Sequence, residues 1–174
     1  MRCRKCIAEF LPVFVGALLL TLVDFHDMAR GAEPETALIV RNEEGRETKL
    51  TLSQLAKLPQ VSVRAKDEKG NEAVWEGTAL HAVLNAAGVK LGEAIRGAAL
   101  ANYLVAEAAD GYRVVFTLPE VDPAFTDLIF LLADRRNEQP MGDYEGRLRI
   151  VVPHEKRHAR WVRKVVSLNL QRAR

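Results

Sequence analysis

Runs of alternating or largely apolar residues recur along the chain after residue 35 and predict β-strands joined by tight turns. Small and polar residues that favour such turns occur at residues 42–45, at Gly70 and at Asp110-Gly111. Each turn lies between two strand-like runs. Three hairpins are therefore predicted, from residues 36–41 with 47–52, 61–63 with 73–75, and 100–106 with 112–118.

Apolar residues at helical spacing follow the second predicted hairpin. Thr78 is predicted to cap a helix that ends at Gly88, because glycine commonly terminates helices. The buried face of this helix is predicted to consist of Leu80, Val83 and Leu84. A shorter helical turn over residues 54–57 is predicted after Ser53, whose hydroxyl can cap its N-terminus.

The last third of the chain adds further strands. Residues 148–152 and 161–165 predict two of them, whereas residues 127–133 are apolar but too short to assign to either element. Many strands with one or two helices, and without regular alternation of the two, predict an α+β fold with mixed and antiparallel sheets. A length of 174 residues, with 48% apolar and 28% charged residues, indicates a single domain.

The first 31 residues have the pattern of an export signal. A basic start precedes the uncharged apolar run 10–23, and small residues around Gly31 offer a cleavage site. We predict cleavage near Ala32, a mature domain at residues 32–174, and a periplasmic or secreted location. The alternative is an uncleaved anchor, but this run rises only about 21 Å as a helix, short of the roughly 30 Å hydrocarbon core. No stable membrane span is therefore expected after cleavage.

Both cysteines, Cys3 and Cys6, lie before that apolar run. A lipid-acceptor cysteine must follow the run, so lipid anchoring is not expected. Cleavage would leave a mature domain with neither a disulfide nor a thiolate ligand. A chain of about 140 residues buries enough surface to fold without such links.

The charges are distributed unevenly along the mature chain. Residues 32–146 carry 12 basic and 19 acidic side chains, whereas residues 147–174 carry nine basic residues and one acid. Either the two parts pair with each other within one domain, or the basic tail lines a site for an anion. No nucleic-acid partner is expected, because an exported protein seldom meets nucleic acid.

Residues 154–158 spell the zinc-peptidase pattern H-E-x-x-H, which requires both histidines on one helical face. Pro153 and a strand-like run stand directly before it, and the two variable positions are the cations Lys156 and Arg157. No His, Asp, Glu or Cys follows His158 to supply a third ligand. No zinc site is expected here.

Several short segments, in their order and spacing, resemble a known family. They are residues 50–59 (LTLSQLAKLP), 75–80 (WEGTAL), 110–112 (DGY), 131–141 (LLADRRNEQPM), 145–153 (EGRLRIVVP) and 161–165 (WVRKV). Together they resemble the oxidoreductase molybdopterin-binding domain, the fold of the sulfite oxidases, over about residues 50–170. The resemblance implies a molybdenum pterin cofactor whose phosphate is bound by basic residues after the VVP strand. By that match the cofactor-binding residues are Arg160, Arg163, His158, Arg157 and Lys156.

Two departures from the family pattern bear on the chemistry. The family's molybdenum-ligating cysteine is replaced in a region where Ala65 lies close to the expected position. The glycine-rich segment after the VVP strand reads HEKRHAR and has no glycine, the residue that usually allows close backbone approach to a phosphate. Alanine cannot ligate a metal, so no residue is predicted to be catalytic.

Three functions remain open from the sequence. The first is a module that binds a pterin phosphate or another small anion without cysteine-ligated molybdenum catalysis. The second is an active molybdenum-dependent oxidoreductase with a non-cysteine ligand and a periplasmic redox partner. The third is an interaction module whose basic tail docks an acidic protein or an anionic membrane surface.

Overall fold

The computed structural model describes residues 35–173, which form two β-sheets with three short α-helices. The strands are β1 Thr36–Arg41, β2 Glu47–Thr51, β3 Gln60–Lys66, β4 Glu72–Ala79, β5 Tyr103–Ala108, β6 Arg113–Thr117, β7 Leu131–Arg136, β8 Gln139–Pro140, β9 Arg149–Val151 and β10 Val165–Gln171. The helices are α1 Leu52–Leu55, α2 Leu80–Ala86 and α3 Leu118–Val121. The α+β class is thereby confirmed.

The first sheet has the strand order β2-β1-β10-β5-β6. Its strands pair in antiparallel fashion except β1 and β10, which run parallel with Val40 opposite Leu168. Inward positions of β1 are apolar and fully buried at Leu38 and Val40, while Glu47 on the edge strand β2 is exposed. The last strand of the chain therefore lies at the centre of this sheet.

The second sheet has the order β3-β4-β7-β8, and β9 pairs with β7. A register shift in β4 lies between Glu76 and Gly77, where β4 approaches β7 closely. A Cβ at Gly77 would lie 2.2 Å from the carbonyl oxygen of Leu132, so only glycine fits there. Trp75 and Ile150 of this sheet and Phe116 of the first belong to one buried apolar cluster.

Both predicted helices form, but their caps differ from the prediction. Thr51, not Ser53, caps α1: its hydroxyl accepts from the amide of Gln54, and the Gln54 side chain accepts from the Thr51 amide. Helix α2 begins after Ala79 without a side-chain cap. The Thr78 hydroxyl instead donates to the carbonyl of Leu55, the last residue of α1.

The three predicted hairpins are confirmed, with different limits. Strand β5 begins at Tyr103 because Gly97–Ala101 forms a 3-10 helix. The predicted strand over residues 161–165 is wrong except at Val165, where β10 begins. The unassigned residues 127–133 contain the start of β7. The predicted signal, residues 1–31, lies outside the described residues. Within the part that is described, no helix is long and apolar enough to cross a membrane.

Candidate functional site

The second sheet contains a buried arginine on strand β9. Arg149 on β9 is fully buried, and its guanidinium carbon lies 5.0 Å from the ring centroid of Trp75 and 5.4 Å from that of Trp161. The two indole rings meet edge to face at 5.7 Å. Arg149 donates from Nη1 to Glu145 and from Nη2 to Glu68. Two aromatic rings and two carboxylates thus compensate the buried charge.

A second arginine extends this network. Arg136 donates to Asp67 at 2.6 Å, lies 3.6 Å from a Glu145 oxygen and stacks 4.8 Å from the Trp75 centroid. We refer to the five ionised residues as the Arg149 cluster: Asp67, Glu68, Arg136, Glu145 and Arg149. Its members come from the β3–β4 turn, β7, β9 and the loop before β9.

Asp67 fixes the β3–β4 turn that carries Glu68. Its carboxylate accepts from the amides of Lys69 and Asn71, each at 2.9 Å. Burial raises the pKa of Asp67, but hydrogen bonds from Arg136 and these amides outweigh it and hold the pKa well below its usual range. Burial likewise raises the pKa of Glu68, and hydrogen bonds, including that from Arg149, lower it below its usual value.

Beside this cluster lies an open pocket of about 440 Å³. We call it the tyrosine pocket; it is lined by Glu68, Ala108, Asp110, Tyr112, Tyr144, His158, Ala159, Trp161 and Arg163. The Arg163 guanidinium stacks 4.1 Å from the Tyr144 ring centroid, and the His158 ring meets Trp161 edge to face at 4.3 Å. The pocket therefore combines aromatic walls, two basic side chains and two carboxylates.

Backbone contacts around Lys164 hold the pocket walls together. Lys164 has a left-handed φ of 51°, its amide donates to the carbonyl of Glu145, and its carbonyl accepts from the amide of Ala109. Gly146 has a φ of 79°, and a Cβ there would lie 2.8 Å from the Lys164 Cα. The loop before β9, the β5–β6 turn and Arg163 are thereby tied to one another.

His158 has a defined role in this arrangement. Its Nε2 lies 2.8 Å from the carbonyl oxygen of Lys66. Because a carbonyl only accepts, Nε2 carries the proton, and Nδ1 is the ring nitrogen left for a ligand. The hydroxyl of Tyr112 donates to the neighbouring Ala159 carbonyl at 2.7 Å and fixes the next residue of the same segment.

The five residues predicted to bind the cofactor separate into groups. His158 and Arg163 meet at the tyrosine pocket, and Lys156 joins His158 at an adjoining cleft of about 510 Å³. Arg157 is exposed and makes no ion pair among residues 35–173. Arg160 lies elsewhere, between two carboxylates. The structure therefore brings three of the five into neighbouring cavities.

Arg160 is held by acids of this chain. It donates from Nε to Glu155 at 2.6 Å and from Nη1 to Glu120 at 2.9 Å, and it stacks 4.7 Å from the Phe116 centroid. We call Arg160, Glu120 and Glu155 the Arg160 cluster. Burial lowers the pKa of Arg160, but the hydrogen bonds to both glutamates raise it above its usual value. That Arg160 contacts an anion stays a prediction. An anionic ligand would have to displace Glu120 or Glu155 to reach it.

The H-E-x-x-H residues do not form an α-helix. His154 lies in a turn with its ring 5.2 Å from that of Phe130, and His158 opens the 3-10 helix His158–Arg160. Glu155 is engaged by Arg160. The two histidines therefore do not share one face of an α-helix, the geometry that the zinc pattern needs. Across residues 35–173, no three His, Cys, Asp or Glu side chains lie where they would hold a metal.

Sequence reasoning missed the Arg149 cluster and Tyr144. A signal for the cluster exists: Arg149 interrupts the apolar run from Leu148 to Val152, and a cation inside a buried strand requires partners. The sequence does not name those partners, because Glu68 lies 81 residues away. Ala65, near the family's thiolate position, is half-buried on β3 opposite Ala73.

Comparisons with known proteins identify the family. The model of the oxidoreductase molybdopterin binding domain matches residues 29–174. A comparison with curated proteins found no match. Among solved structures, the chain is similar to the sulfane dehydrogenase SoxCD from Paracoccus pantotrophus, with a TM-score of 0.62 and 20% identity. This match covers 80% of this chain and 39% of that chain, and at such identity it shows the fold alone.

The family resemblance seen in the sequence is thus confirmed by the family model, and the solved structure shows the fold. The family model spans most of the sequence, and the solved structure has the same fold over four-fifths of it. The chain belongs to the oxidoreductase molybdopterin binding domain family.

Proposed function

We propose that this protein is an exported binding protein that holds a pterin or another ring-bearing anion in the tyrosine pocket, without cysteine-ligated molybdenum catalysis. The observation that carries the proposal is the lining of that pocket. Tyr112, Tyr144 and Trp161 offer aromatic surface, while the Arg163 guanidinium offers donors to an anionic group. Ligand pockets commonly combine apolar walls with a few placed polar groups.

The donor set does not fit a thiolate-held molybdenum. No cysteine occurs after Cys6, and Ala65 offers the metal no ligand atom. Soft thiolate ligation sets the electronic properties of such a metal, and alanine has no equivalent. We therefore assign no redox step to this chain.

The two carboxylates of the pocket favour a ligand with its own N–H donors. Glu68 and Asp110 line the same cavity as Arg163. A pterin ring carries amino and ring N–H groups that carboxylates accept, and its substituent supplies the anion for the basic side chains. A simple polyanion would meet repulsion from these acids, so the lining favours a ring with both kinds of group.

Arg163 offers the most direct anion contact. Within residues 35–173 it makes no ion pair, and its only aromatic partner is Tyr144. A guanidinium stacked on a ring keeps its N–H edge available for two parallel hydrogen bonds to a carboxylate or phosphate. Binding at Arg163 therefore requires no displacement of an internal acid.

Metal and pterin analysis tests the lack of molybdenum chemistry. The protein would be produced with its own residues 1–31 in a host that makes molybdopterin, recovered from the periplasm or medium, and examined by native mass spectrometry. We expect export and no stoichiometric molybdenum. One molybdenum per chain would contradict the proposal and establish the alternative, an active oxidoreductase with a non-cysteine ligand.

Titration with pterin-6-carboxylate tests the pocket itself. Quenching of the probe's fluorescence would report its binding, and Arg163→Gln is expected to weaken the affinity about tenfold, the effect of losing one charged hydrogen bond. Arg64→Gln is the matched control, since Arg64 is exposed on β3 and lines none of the pockets described. Equal affinity of both variants would reject the tyrosine pocket as the binding site.

A further inference from the structure

We propose that Arg149 is a concealed oxyanion-binding site that Glu68 occupies as an internal substitute for the ligand. A carboxylate, phosphate or sulfonate in the adjoining tyrosine pocket would replace the Glu68 carboxylate on the Arg149 guanidinium. This deepens the proposed function and rests on it for the identity of the ring-bearing ligand. The exchange at Arg149 can be tested without that ligand.

The hydrogen bonds of Arg149 leave one edge of its guanidinium incompletely used. Nη1 donates to Glu145 and Nη2 to Glu68, while the buried Nε has no hydrogen-bond partner within residues 35–173. Nε and Nη2 lie on the same side of a guanidinium and together bind an oxyanion through two parallel bonds. Glu68 uses only one of these two donors.

The two carboxylates on Arg149 differ in how firmly they are held. The Glu145 side chain is 11% exposed and also faces Arg136, whereas the Glu68 side chain is 40% exposed. Among the described residues, Arg149 is the only other residue that donates a hydrogen bond to the Glu68 carboxylate. Glu68 is therefore the exchangeable partner and Glu145 the fixed one.

The turn that carries Glu68 does not depend on the Glu68 side chain. The carboxylate of Asp67 holds that turn through the amides of Lys69 and Asn71. Glu68 can consequently rotate into solvent while β3 and β4 stay paired. Its release also restores side-chain entropy, since a glutamate regains most of its rotamer freedom once exposed.

Arg149 makes this exchange conditional on another anion. Its side chain is fully buried between Trp75 and Trp161, so losing a carboxylate leaves a buried charge that is only partly compensated. Glu68 therefore stays in place until an oxyanion arrives to replace it. Glu68 lines the tyrosine pocket, so its departure would open that pocket toward Arg149.

The chemistry of the site selects the kind of ligand. One guanidinium edge can bind a single compact oxyanion group. The Glu145 carboxylate beside it repels further negative charges, so a polyanion is disfavoured. The aromatic walls next to it suit a planar ring. The inferred ligand class is thus a planar ring with one carboxylate, phosphate or sulfonate.

Chemical rescue of Glu68→Ala with formate provides the test. The thermal midpoint of unfolding would be measured for the wild type, Glu68→Ala and Glu72→Ala, in formate and in chloride of equal ionic strength. Glu72 lies on the same hairpin, is exposed and makes no ion pair within residues 35–173, so it controls for the loss of a charge. Formate is expected to raise the midpoint of Glu68→Ala alone, saturably, by about 3–6 °C.

A second measurement covers the case in which Glu68→Ala does not fold. Glu68→Gln keeps the side-chain shape without the charge, and broadening of the ¹³C signal of labelled formate would report binding to it. Binding that disappears in Glu68→Gln/Arg149→Met supports the exchange. Formate effects equal to those of chloride, or equal in all variants, would overturn it.

The outcomes separate this inference from the proposed function. Formate rescue without binding of pterin-6-carboxylate to the wild type would keep the Arg149 site and reject the pterin-like ligand. Pterin-6-carboxylate binding that needs Arg163, without formate rescue, would keep the tyrosine pocket and reject the exchange at Arg149.

Discussion

Two arginines of the basic tail are surrounded by the same kinds of group but at different depths. Arg149 holds two glutamates and stacks on two indole rings with its side chain fully buried. Arg160 also holds two glutamates and stacks on Phe116, but its side chain is 34% exposed. Burial is the main difference between the two, because each arginine pairs with two glutamates and stacks on aromatic rings.

Burial decides what each cluster does for the protein. An exposed ion pair is screened by water and contributes little, whereas removal of one partner of a buried pair leaves a charge that nothing solvates. The Arg160 cluster therefore joins surface segments weakly. The Arg149 cluster links the β3–β4 turn, β7, β9 and the preceding loop, so the walls of the tyrosine pocket depend on it.

Replacing each arginine by methionine gives the largest expected difference. Arg149→Met removes both the buried pairs and the stacking on two indoles, and we expect a loss of about 3 kcal/mol in the free energy of unfolding. Arg160→Met is expected to lose about 0.5–1 kcal/mol, because solvent screens its pairs. Urea unfolding of both variants measures the difference. Equal losses would show that burial does not distinguish the two clusters.

Acid pH offers a second way to examine the Arg149 cluster. Burial raises the pKa of Asp67 and of Glu68, but hydrogen bonds from backbone amides and from an arginine hold both pKa values below their ordinary values of 3.8 and 4.5. A carboxyl group with a lowered folded-state pKa stabilises the fold above its ordinary value, and this contribution is lost as the pH falls through the folded-state pKa. The unfolding free energy is therefore expected to fall as the pH drops below about 4.5.

Variants with uncharged side chains at Asp67 and Glu68 test whether the Arg149 cluster causes this pH dependence. Asp67→Asn/Glu68→Gln is expected to be less stable at neutral pH and to lose less stability on acidification than the wild type. Glu72→Gln/Asp143→Asn removes two exposed carboxylates outside any ion pair of the described residues and serves as control. If both double variants lost the same unfolding free energy on acidification, other titrating groups would account for the acid sensitivity.

The sequence predicts local elements better than it predicts the site. Turn chemistry and alternation identify the β1–β2 hairpin and the helical spacing identifies α2, because both depend on neighbouring residues. The sequence does not assign the start of β7, because this strand is buried on both sides at Leu131–Ala133 and shows no alternation. The parallel pairing of β1 with β10 joins residues 128 positions apart, so no local pattern reveals it.

The partners of the basic residues in the tail, residues 147–174, likewise cannot be predicted from local sequence patterns. Their surplus is visible in the sequence, and the structure pairs several of these cations with acids from earlier in the chain, including Arg149 with Glu68 and Arg160 with Glu120. Of the alternatives for the tail, internal pairing therefore applies to these residues. Arg163 and His158 face the tyrosine pocket instead, a distinction that depends on the loop geometry at Lys164.

Added salt is expected to have the smallest effect on the unfolding free energy, and to act on only one of the two arginine clusters. Added sodium chloride screens the partly exposed pairs of Arg160 with Glu120 and Glu155, so the difference in unfolding free energy between wild type and Arg160→Met should fall from about 0.5–1 kcal/mol toward zero near 1 M salt. The corresponding difference for Arg149→Met should persist, because ions do not reach a fully buried guanidinium. Urea is the appropriate denaturant, since guanidinium chloride would itself supply the salt. If both differences shrank equally, solvent ions would have access to Arg149, and the barrier that keeps Glu68 in place would be lower than its burial indicates.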